Sequence, residues 1–179
     1  MTEKENIDLL LNIFNNINYW LDYAEKKSSY MMTLFTLLSG FLVFILNKLN
    51  NIIIDVGSYL FFTTYIISIF FMLQSLKPDT NKEKNNKIKS NTNNECNLIF
   101  FGDISKCSYD DYKNHLINKY NICTNNGYIL DLINQIVNNS KIVNKKFNYL
   151  NKITITLEIG IGIYIAFIIG YIIYRFIIQ

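Results

Sequence analysis

Three long apolar runs alternate with polar segments along the chain, and they cover Tyr30–Leu46, Ile52–Leu73 and Ile153–Ile178. At a helical rise of 1.5 Å per residue, runs of 17, 22 and 26 residues reach about 26, 33 and 39 Å, whereas the hydrocarbon core of a bilayer is roughly 30 Å thick. Each run is long enough to cross a membrane. We therefore predict an all-α membrane protein with three transmembrane helices.

Amphipathic helices are predicted directly before the first and the third span. Apolar side chains there recur at alternating spacings of three and four, which is the pattern of a heptad seam. The first seam consists of Ile7, Leu10, Phe14, Ile17, Leu21 and Ala24. The second consists of Ile129, Ile133, Ile136, Ser140, Val143, Phe147 and Leu150. We expect the two helices to pack in parallel as a stalk. Its role is either ordinary packing within one subunit or the transmission of a cytosolic event into the bilayer.

The pattern divides the chain into four regions. Residues 1–29 form an N-terminal cytosolic amphipathic helix, and 30–76 form a transmembrane hairpin. Residues 77–152 form a cytosolic linker and helical sensor region, followed by the third transmembrane helix at 153–179. Residues 74–152 hold twelve lysines against seven acidic residues, so the positive-inside rule places them in the cytosol together with the N-terminus. Residues 79–97 are almost without apolar side chains and are expected to be a mobile linker.

Small residues and one carboxylate recur every four residues along the third span, at Glu158, Gly162, Ala166 and Gly170. Small side chains at this spacing let helices approach closely in lipid. We therefore predict an oligomer or membrane interface along this ridge, with Glu158 facing a partner helix or water. The alternative for Glu158 is an interfacial position, because it lies only about 8 Å along the helix from Ile153.

The central segment offers two groups of candidate ligand-binding residues. One is the stretch of residues 100–104, FFGDI, in which Phe101 and Asp103 are either part of a buried plug and turn or contacts to a ligand. The other is a basic group, Lys141, Lys145 and Lys146, within about one and a half helical turns. These lysines either gather a phosphate or form a solvated, headgroup-facing set. Between the two groups, Ser108 and Asp111 predict the capped start of a helix over 109–120.

Composition argues against several classes of function. Three cysteines and one histidine lack the spacing of a zinc site, so we expect no metal. Neither a glycine-rich phosphate loop nor a nucleophile elbow is present, which leaves little from which to build a catalytic site. We expect a protein that is not an enzyme and that has no cofactor and no nucleic-acid partner.

Several stretches together resemble the transmembrane effector family of the Pycsar anti-phage defence systems. They are Trp20–Lys27 before the first span, Leu76–Pro78 after the second, FFGDI at Phe100–Ile104, and then Asp131, Gln135, Ser140, Lys141, Lys146 and Phe147. The resemblance runs in matching order over nearly the whole chain. Phe147 stands where such proteins are expected to have a tyrosine.

The resemblance implies a bacterial inner-membrane protein that responds to cyclic CMP or cyclic UMP from a neighbouring pyrimidine cyclase. Activation is then expected to impair the membrane and to end the infection by death or arrest of the cell. From the ridge of the third span we also expect a homo-oligomer. A β-roll nucleotide domain is not evident in the sequence, so any nucleotide would have to bind between the stalk helices and the FFGDI stretch. The alternative is an ungated or partner-gated oligomeric toxin or scaffold, similar to a holin, without a nucleotide ligand.

Overall fold

The protein is helical wherever its structure is described. A computed structural model describes residues 2–46, 52–77 and 97–178. Its helices are α1 (Glu3–Leu46), α2 (Ile52–Leu76), α3 (Phe101–Ile104), α4 (Tyr109–Tyr120) and α5 (Gly127–Ile178). No strand occurs in these ranges, so the all-α class is confirmed for them. The predicted linker lies outside the described residues apart from Asn97.

The chain divides into two compact units. Unit 1 comprises Met1–Glu25 and Pro78–Phe147, and unit 2 comprises Lys26–Lys77 and Asn148–Gln179. Helices α1 and α5 contribute residues to both units. Each unit is therefore built from segments that are distant in sequence.

Unit 1 contains the parallel helix pair that the sequence predicts. Three contacts in register join the helices: Asn126 to Glu3 at 2.5 Å, Asn139 to Asn18 at 2.8 Å, and Lys146 to Glu25 at 3.1 Å. The partners are separated by 123, 121 and 121 residues. A nearly constant offset requires two helices that run side by side in the same direction.

The seam of this pair is wider on α1 than the heptad pattern predicts. Leu10 and Ile17 are buried as expected, but Ile13 is also buried, whereas Phe14 is only partly covered. The reason is that α1 also packs against the segment around α3 and α4, so it buries a broader stripe than one partner helix requires. Asn6 is fully buried, and its side-chain amide has no hydrogen-bond partner among the described residues.

Helix α4 begins and ends where its local signals place it. The Asp111 backbone N–H donates to the Ser108 hydroxyl oxygen at 3.1 Å, and the same hydroxyl donates to the Asp111 carboxylate at 2.7 Å. The helix ends at Tyr120, and the residue that caps it, Asn121, has a left-handed backbone with a φ of 53°. Tyr112 faces the core, and its hydroxyl donates to the Leu98 carbonyl at 2.8 Å. The predicted helix over 109–120 is thus confirmed.

Unit 2 is a cluster of helices with polar contacts inside and apolar side chains outside. The Tyr65 hydroxyl donates to the Phe35 carbonyl at 2.7 Å and also contacts the Ser39 hydroxyl. A Cβ added at Gly160 would collide with Thr64, and one added at Gly57 would lie 2.7 Å from Cβ of Phe167, so α2 and α5 approach closely at both glycines. Most large side chains on the outer faces are exposed and apolar, as expected for helices surrounded by lipid.

Two described helices are long and apolar enough to cross a membrane, over Ile54–Leu76 and within Gly127–Ile177. They contain the second and third predicted spans. The first predicted span is helical within α1, but it is not among the two. Its described part ends at Leu46 and includes several hydroxyl-bearing residues, so its apolar stretch is short. This span stays a prediction.

Candidate ligand-binding site

An aromatic cluster brings three distant segments of unit 1 together. It consists of Trp20 and Tyr23 from α1, Phe100 and Phe101 at the start of α3, and Phe147 from α5. Phe101 lies at its centre, with ring centroids 5.7 Å from Trp20 and 5.5 Å from Phe147. The Phe101 and Phe147 rings are stacked, with an interplanar angle of 16°. Phe101 is buried, as the buried-plug alternative expects, and its contact to a ligand stays a prediction.

The outer members of the aromatic cluster remain accessible. Phe100 is 46% exposed and Tyr23 is 45% exposed. Gly102 supports the position of Phe100, because a Cβ at Gly102 would lie 2.5 Å from Cε1 of the Phe100 ring. The local sequence Phe-Phe-Gly thus lets one ring fill the core while the other lies at the surface. A flat ligand can stack on such exposed rings.

A cross-helix ion pair is formed by residues close in sequence to the aromatic cluster. The Lys146 ammonium lies 3.1 Å from the Glu25 carboxylate. Glu25 is two residues after Tyr23, and Lys146 directly precedes Phe147. The Lys146 side chain is only 17% exposed, whereas that of Glu25 is 56% exposed. A largely covered lysine side chain whose partner is solvent-accessible is suited to exchange that partner for another anion.

The other predicted ligand residues are placed differently. Asp103 makes a local ion pair with Lys106 at 3.1 Å, one turn away along the chain. Lys141 is partly buried and Lys145 is exposed, and both side chains have interaction partners. Phe101 is part of the aromatic cluster, and Lys146 is joined to Glu25 across α1 and α5. None of these placements tests ligand binding, which stays a prediction.

The predicted ridge of α5 lies in unit 2 and is not used for packing there. Glu158, Gly162, Ala166 and Gly170 are all exposed. A Cβ added at Gly162 or Gly170 would meet nothing within 4 Å. Close helix contacts are made instead at Gly160, which the four-residue pattern passes over, and at Gly57 of α2 against Phe167. The ridge is therefore open along its length in a single chain.

Within the described part of unit 1, the pKa values of Tyr109 and Glu5 are shifted, and both residues lie outside the aromatic cluster. Burial raises the pKa of the Tyr109 hydroxyl, and the charges of Asp110 and Asp131 raise it further. Hydrogen bonds from Thr2 lower the pKa of the Glu5 carboxyl group, whose oxygen accepts from the Thr2 backbone nitrogen at 2.7 Å. At neutral pH the tyrosine is therefore protonated and the glutamate is charged.

Sequence reasoning named Phe101 and Lys146 but missed the other members of this arrangement as site residues. Trp20 and Tyr23 are spaced three apart on α1, which places them on one face, and Trp20 is the only tryptophan in the chain. That combination was a usable signal. Glu25 gave no such signal in the sequence, because a lone acid on an exposed helix face usually interacts with water.

Taken together, the described residues define a helical membrane protein with a surface-accessible aromatic cluster beside a cross-helix ion pair. The profile of the Pycsar effector protein domain matches residues 9–174. A curated relative, the Pycsar effector protein GmPycTM of Gulbenkiania mobilis, is 26% identical over 172 residues, covering 85% of this chain and 86% of the relative. No solved structure matches the chain. The chain belongs to the Pycsar effector family of anti-phage defence.

Proposed function

We propose that the protein is a signal-gated membrane effector that binds cyclic CMP or cyclic UMP in the cytosol and then impairs the inner membrane. A neighbouring pyrimidine cyclase supplies the nucleotide, and the outcome is abortive infection. The observation that carries the proposal is the aromatic cluster. It unites Trp20 and Tyr23, from one family-like stretch, with Phe100 and Phe101, from another.

The aromatic cluster suits the base of a pyrimidine nucleotide. The exposed rings of Phe100 and Tyr23 offer faces on which a flat base can stack. Stacking of a base on an aromatic side chain contributes about 1–3 kcal/mol and requires no strand or β-roll. The helical architecture is therefore compatible with nucleotide binding at this surface.

The ion pair suits the phosphate of the same ligand. A cyclic phosphodiester carries one negative charge, as does the Glu25 carboxylate that Lys146 holds in the described structure. In the proposed bound state, the phosphate takes the place of Glu25 at the Lys146 ammonium. The exchange breaks a contact between α1 and α5, which are the helices that contain the first and third predicted spans. Only binding is required, so the proposed effector is neither an enzyme nor dependent on a cofactor.

Calorimetric titration of the detergent-purified full chain tests this proposal. The panel contains cyclic CMP, cyclic UMP, cyclic AMP and cyclic GMP. We expect selective binding of one or both pyrimidine nucleotides. Phe100→Ala and Lys146→Ala should each weaken it by roughly tenfold or more, since one stacking contact or charge-assisted hydrogen bond is removed.

Matched controls separate loss of the site from loss of the fold. Tyr128→Ala removes an aromatic side chain that is 51% exposed but lies outside the aromatic cluster. Lys106→Ala removes a lysine whose partner, Asp103, is local. Both variants should bind as the parent does. Absence of binding by a folded parent, or full binding by both site variants, would overturn the proposed site.

We further propose that membrane impairment requires homo-oligomers that pack through the open ridge of α5. Its support is the free space around Gly162 and Gly170, which a second copy of the chain can occupy. An exposed carboxylate at Glu158 would then face a partner helix or water rather than lipid, where a charge costs several kcal/mol. The competing function is an ungated toxin that uses the same ridge without a nucleotide.

Expression in cells with and without the cyclase distinguishes the two functions. A gated effector should be tolerated until the nucleotide is made, whereas an ungated toxin should impair growth in both strains. Gly162→Ile should abolish killing but preserve insertion, because the added side chain is accommodated in one chain and excluded only at an interface. Ile161→Phe, which adds bulk at an exposed position off the ridge, is the control and should still kill. Killing by Gly162→Ile would exclude the ridge as the interface.

A further inference from the structure

A second cationic feature lies at one end of unit 2, separate from the lysines considered above. It consists of Lys26 and Lys27 in α1, Lys77 after α2, and Lys152 in α5, which we call the lysine collar. The Ser28 and Ser75 hydroxyls lie 3.4 Å apart, so α1 and α2 are level at this point. Lys27 precedes Ser28 and Lys77 comes two residues after Ser75, so both lysines lie on the same side of this contact, within about 3 Å of it along the chain.

Lys152 is anchored among aromatic rings on the third helix of the lysine collar. Its ammonium lies 5.6 Å from the ring centroid of Phe71 and 5.7 Å from that of Tyr149. Phe71 lies about 9 Å from Lys77 along α2, so Lys152 is the innermost of the four charges. A lysine held by aromatic rings at the end of apolar helices is typical of the membrane–water interface.

Acidic side chains do not compensate these charges within the described part of unit 2. The acids there are Asp55 and Glu158. Asp55 lies about 30 Å from Ser75 along α2, and Glu158 lies about 9 Å beyond Lys152 along α5. Of the acids that precede Lys26 in α1, Glu25 is paired with Lys146, and Asp22 belongs to unit 1.

Exposed apolar side chains continue from the lysine collar toward the middle of the helices. They are Leu34 and Leu37 on α1 and Ile67, Phe70 and Leu73 on α2. The surface therefore offers positive charge where a headgroup would lie and apolar area where acyl chains would lie. We infer that the lysine collar binds anionic phospholipids through their headgroup phosphates, a role independent of the nucleotide site.

Native mass spectrometry of the detergent-purified full chain tests this inference without any nucleotide present. Equal amounts of phosphatidylglycerol and phosphatidylcholine with the same acyl chains are added, and retained lipids are counted. We expect retention of phosphatidylglycerol to exceed that of phosphatidylcholine. The preference should fall by about fivefold for each charge removed in the double variant Lys77→Gln/Lys152→Gln.

Three comparisons make the result decisive. Lys77→Arg/Lys152→Arg keeps both charges and should retain the preference, whereas Lys113→Gln/Lys119→Gln removes two lysines from α4 and should leave it unchanged. Inorganic phosphate at millimolar concentration should not displace the lipid, since a free phosphate lacks the apolar contacts. Equal retention of the two lipids, or an undiminished preference in the Gln variant, would overturn the inference. Complete displacement by inorganic phosphate would instead assign the lysine collar to soluble anions.

Discussion

At the scale of single residues, glycine positions decide which side chains can reach a ligand or a partner. Gly102 leaves space beneath the exposed ring of Phe100, and Gly160 leaves space for Thr64. Gly162 and Gly170 have open space around them instead. The same residue type thus serves one role in the aromatic cluster, another in the core of unit 2, and a third on the open ridge.

Gly102→Ala is expected to displace the Phe100 ring while leaving unit 1 folded. The added Cβ would lie 2.5 Å from Cε1 of Phe100, and an exposed aromatic side chain can rotate away. If Phe100 stacks on the nucleotide base, binding should weaken by about as much as in Phe100→Ala. Calorimetry measures the binding, and the thermal unfolding midpoint provides the control. Unchanged affinity would argue against a role for the Phe100 ring.

At the scale of elements, the ends of helices are fixed by local hydrogen bonds. Ser108 caps α4 through its hydroxyl and Asp111, and Thr2 and Glu5 bond reciprocally at the start of α1. In the second case, Thr2 donates from its backbone to the carboxylate of Glu5, and the Glu5 backbone donates to the Thr2 hydroxyl. The Thr2–Glu5 pair is a capping box, whereas at Ser108 the hydroxyl caps the helix and donates to the Asp111 carboxylate.

Ser108→Ala should destabilise α4 by about 1 kcal/mol, because the Asp111 N–H loses its acceptor at the first turn. Hydrogen exchange of the amides at 109–112 should become faster. Exchange near the start of α5 serves as the internal reference and should be unaffected. Equal acceleration in both places would show that the substitution had loosened the whole of unit 1.

The stability of the first turn of α1 should decrease at acid pH. The pKa of Glu5 is lowered in the folded chain, so its stabilisation is complete above the ordinary glutamate pKa of 4.5. This stabilisation is lost as the pH falls through the lowered pKa that Glu5 has in the folded chain. Hydrogen exchange of residues 3–6 between pH 6 and pH 3, corrected for intrinsic rates, should show this loss. Glu5→Gln should exchange with little dependence on pH over this range, and a matching dependence in that variant would assign the effect elsewhere.

At the scale of the whole molecule, two units with different surfaces are assembled from the same two long helices. Unit 1 has a large buried core together with a mixed polar surface, whereas unit 2 exposes apolar side chains over most of its outer faces. That division fits a sensor and a membrane part. Within unit 2, a substitution whose new side chain contacts other atoms of the same chain can be compared with one whose side chain contacts none.

Gly160→Ile and Gly162→Ile should therefore differ in their effect on the folded chain. The first places a side chain against Thr64 and Phe61 and should lower the thermal unfolding midpoint in detergent by several degrees. The second meets nothing within 4 Å and should leave it nearly unchanged. Similar losses in both would contradict the packing described for α2 and α5.

Most of the architecture could be predicted from periodicity, and the exceptions have physical causes. The seam of α5 is buried almost as the heptad pattern predicts, and α4 begins at the expected cap. Asn6 could not be predicted, because a polar residue gives no signal of burial. Gly160 was missed because contact between helices depends on their rotation, which a four-residue repeat does not fix. The ion pair of Glu25 and Lys146 required the register of two segments 121 residues apart.

The position of Trp20 gives the protein its own optical reporter. The only indole in the chain lies 5.7 Å from Phe101 and 6.2 Å from Phe147 by ring centroids, and it is partly exposed. Its emission depends on the polarity and packing around the indole ring, which lies within the aromatic cluster. Occupation of the proposed site can therefore be followed by tryptophan fluorescence in unlabelled protein, in detergent or in lipid, with each addition of nucleotide.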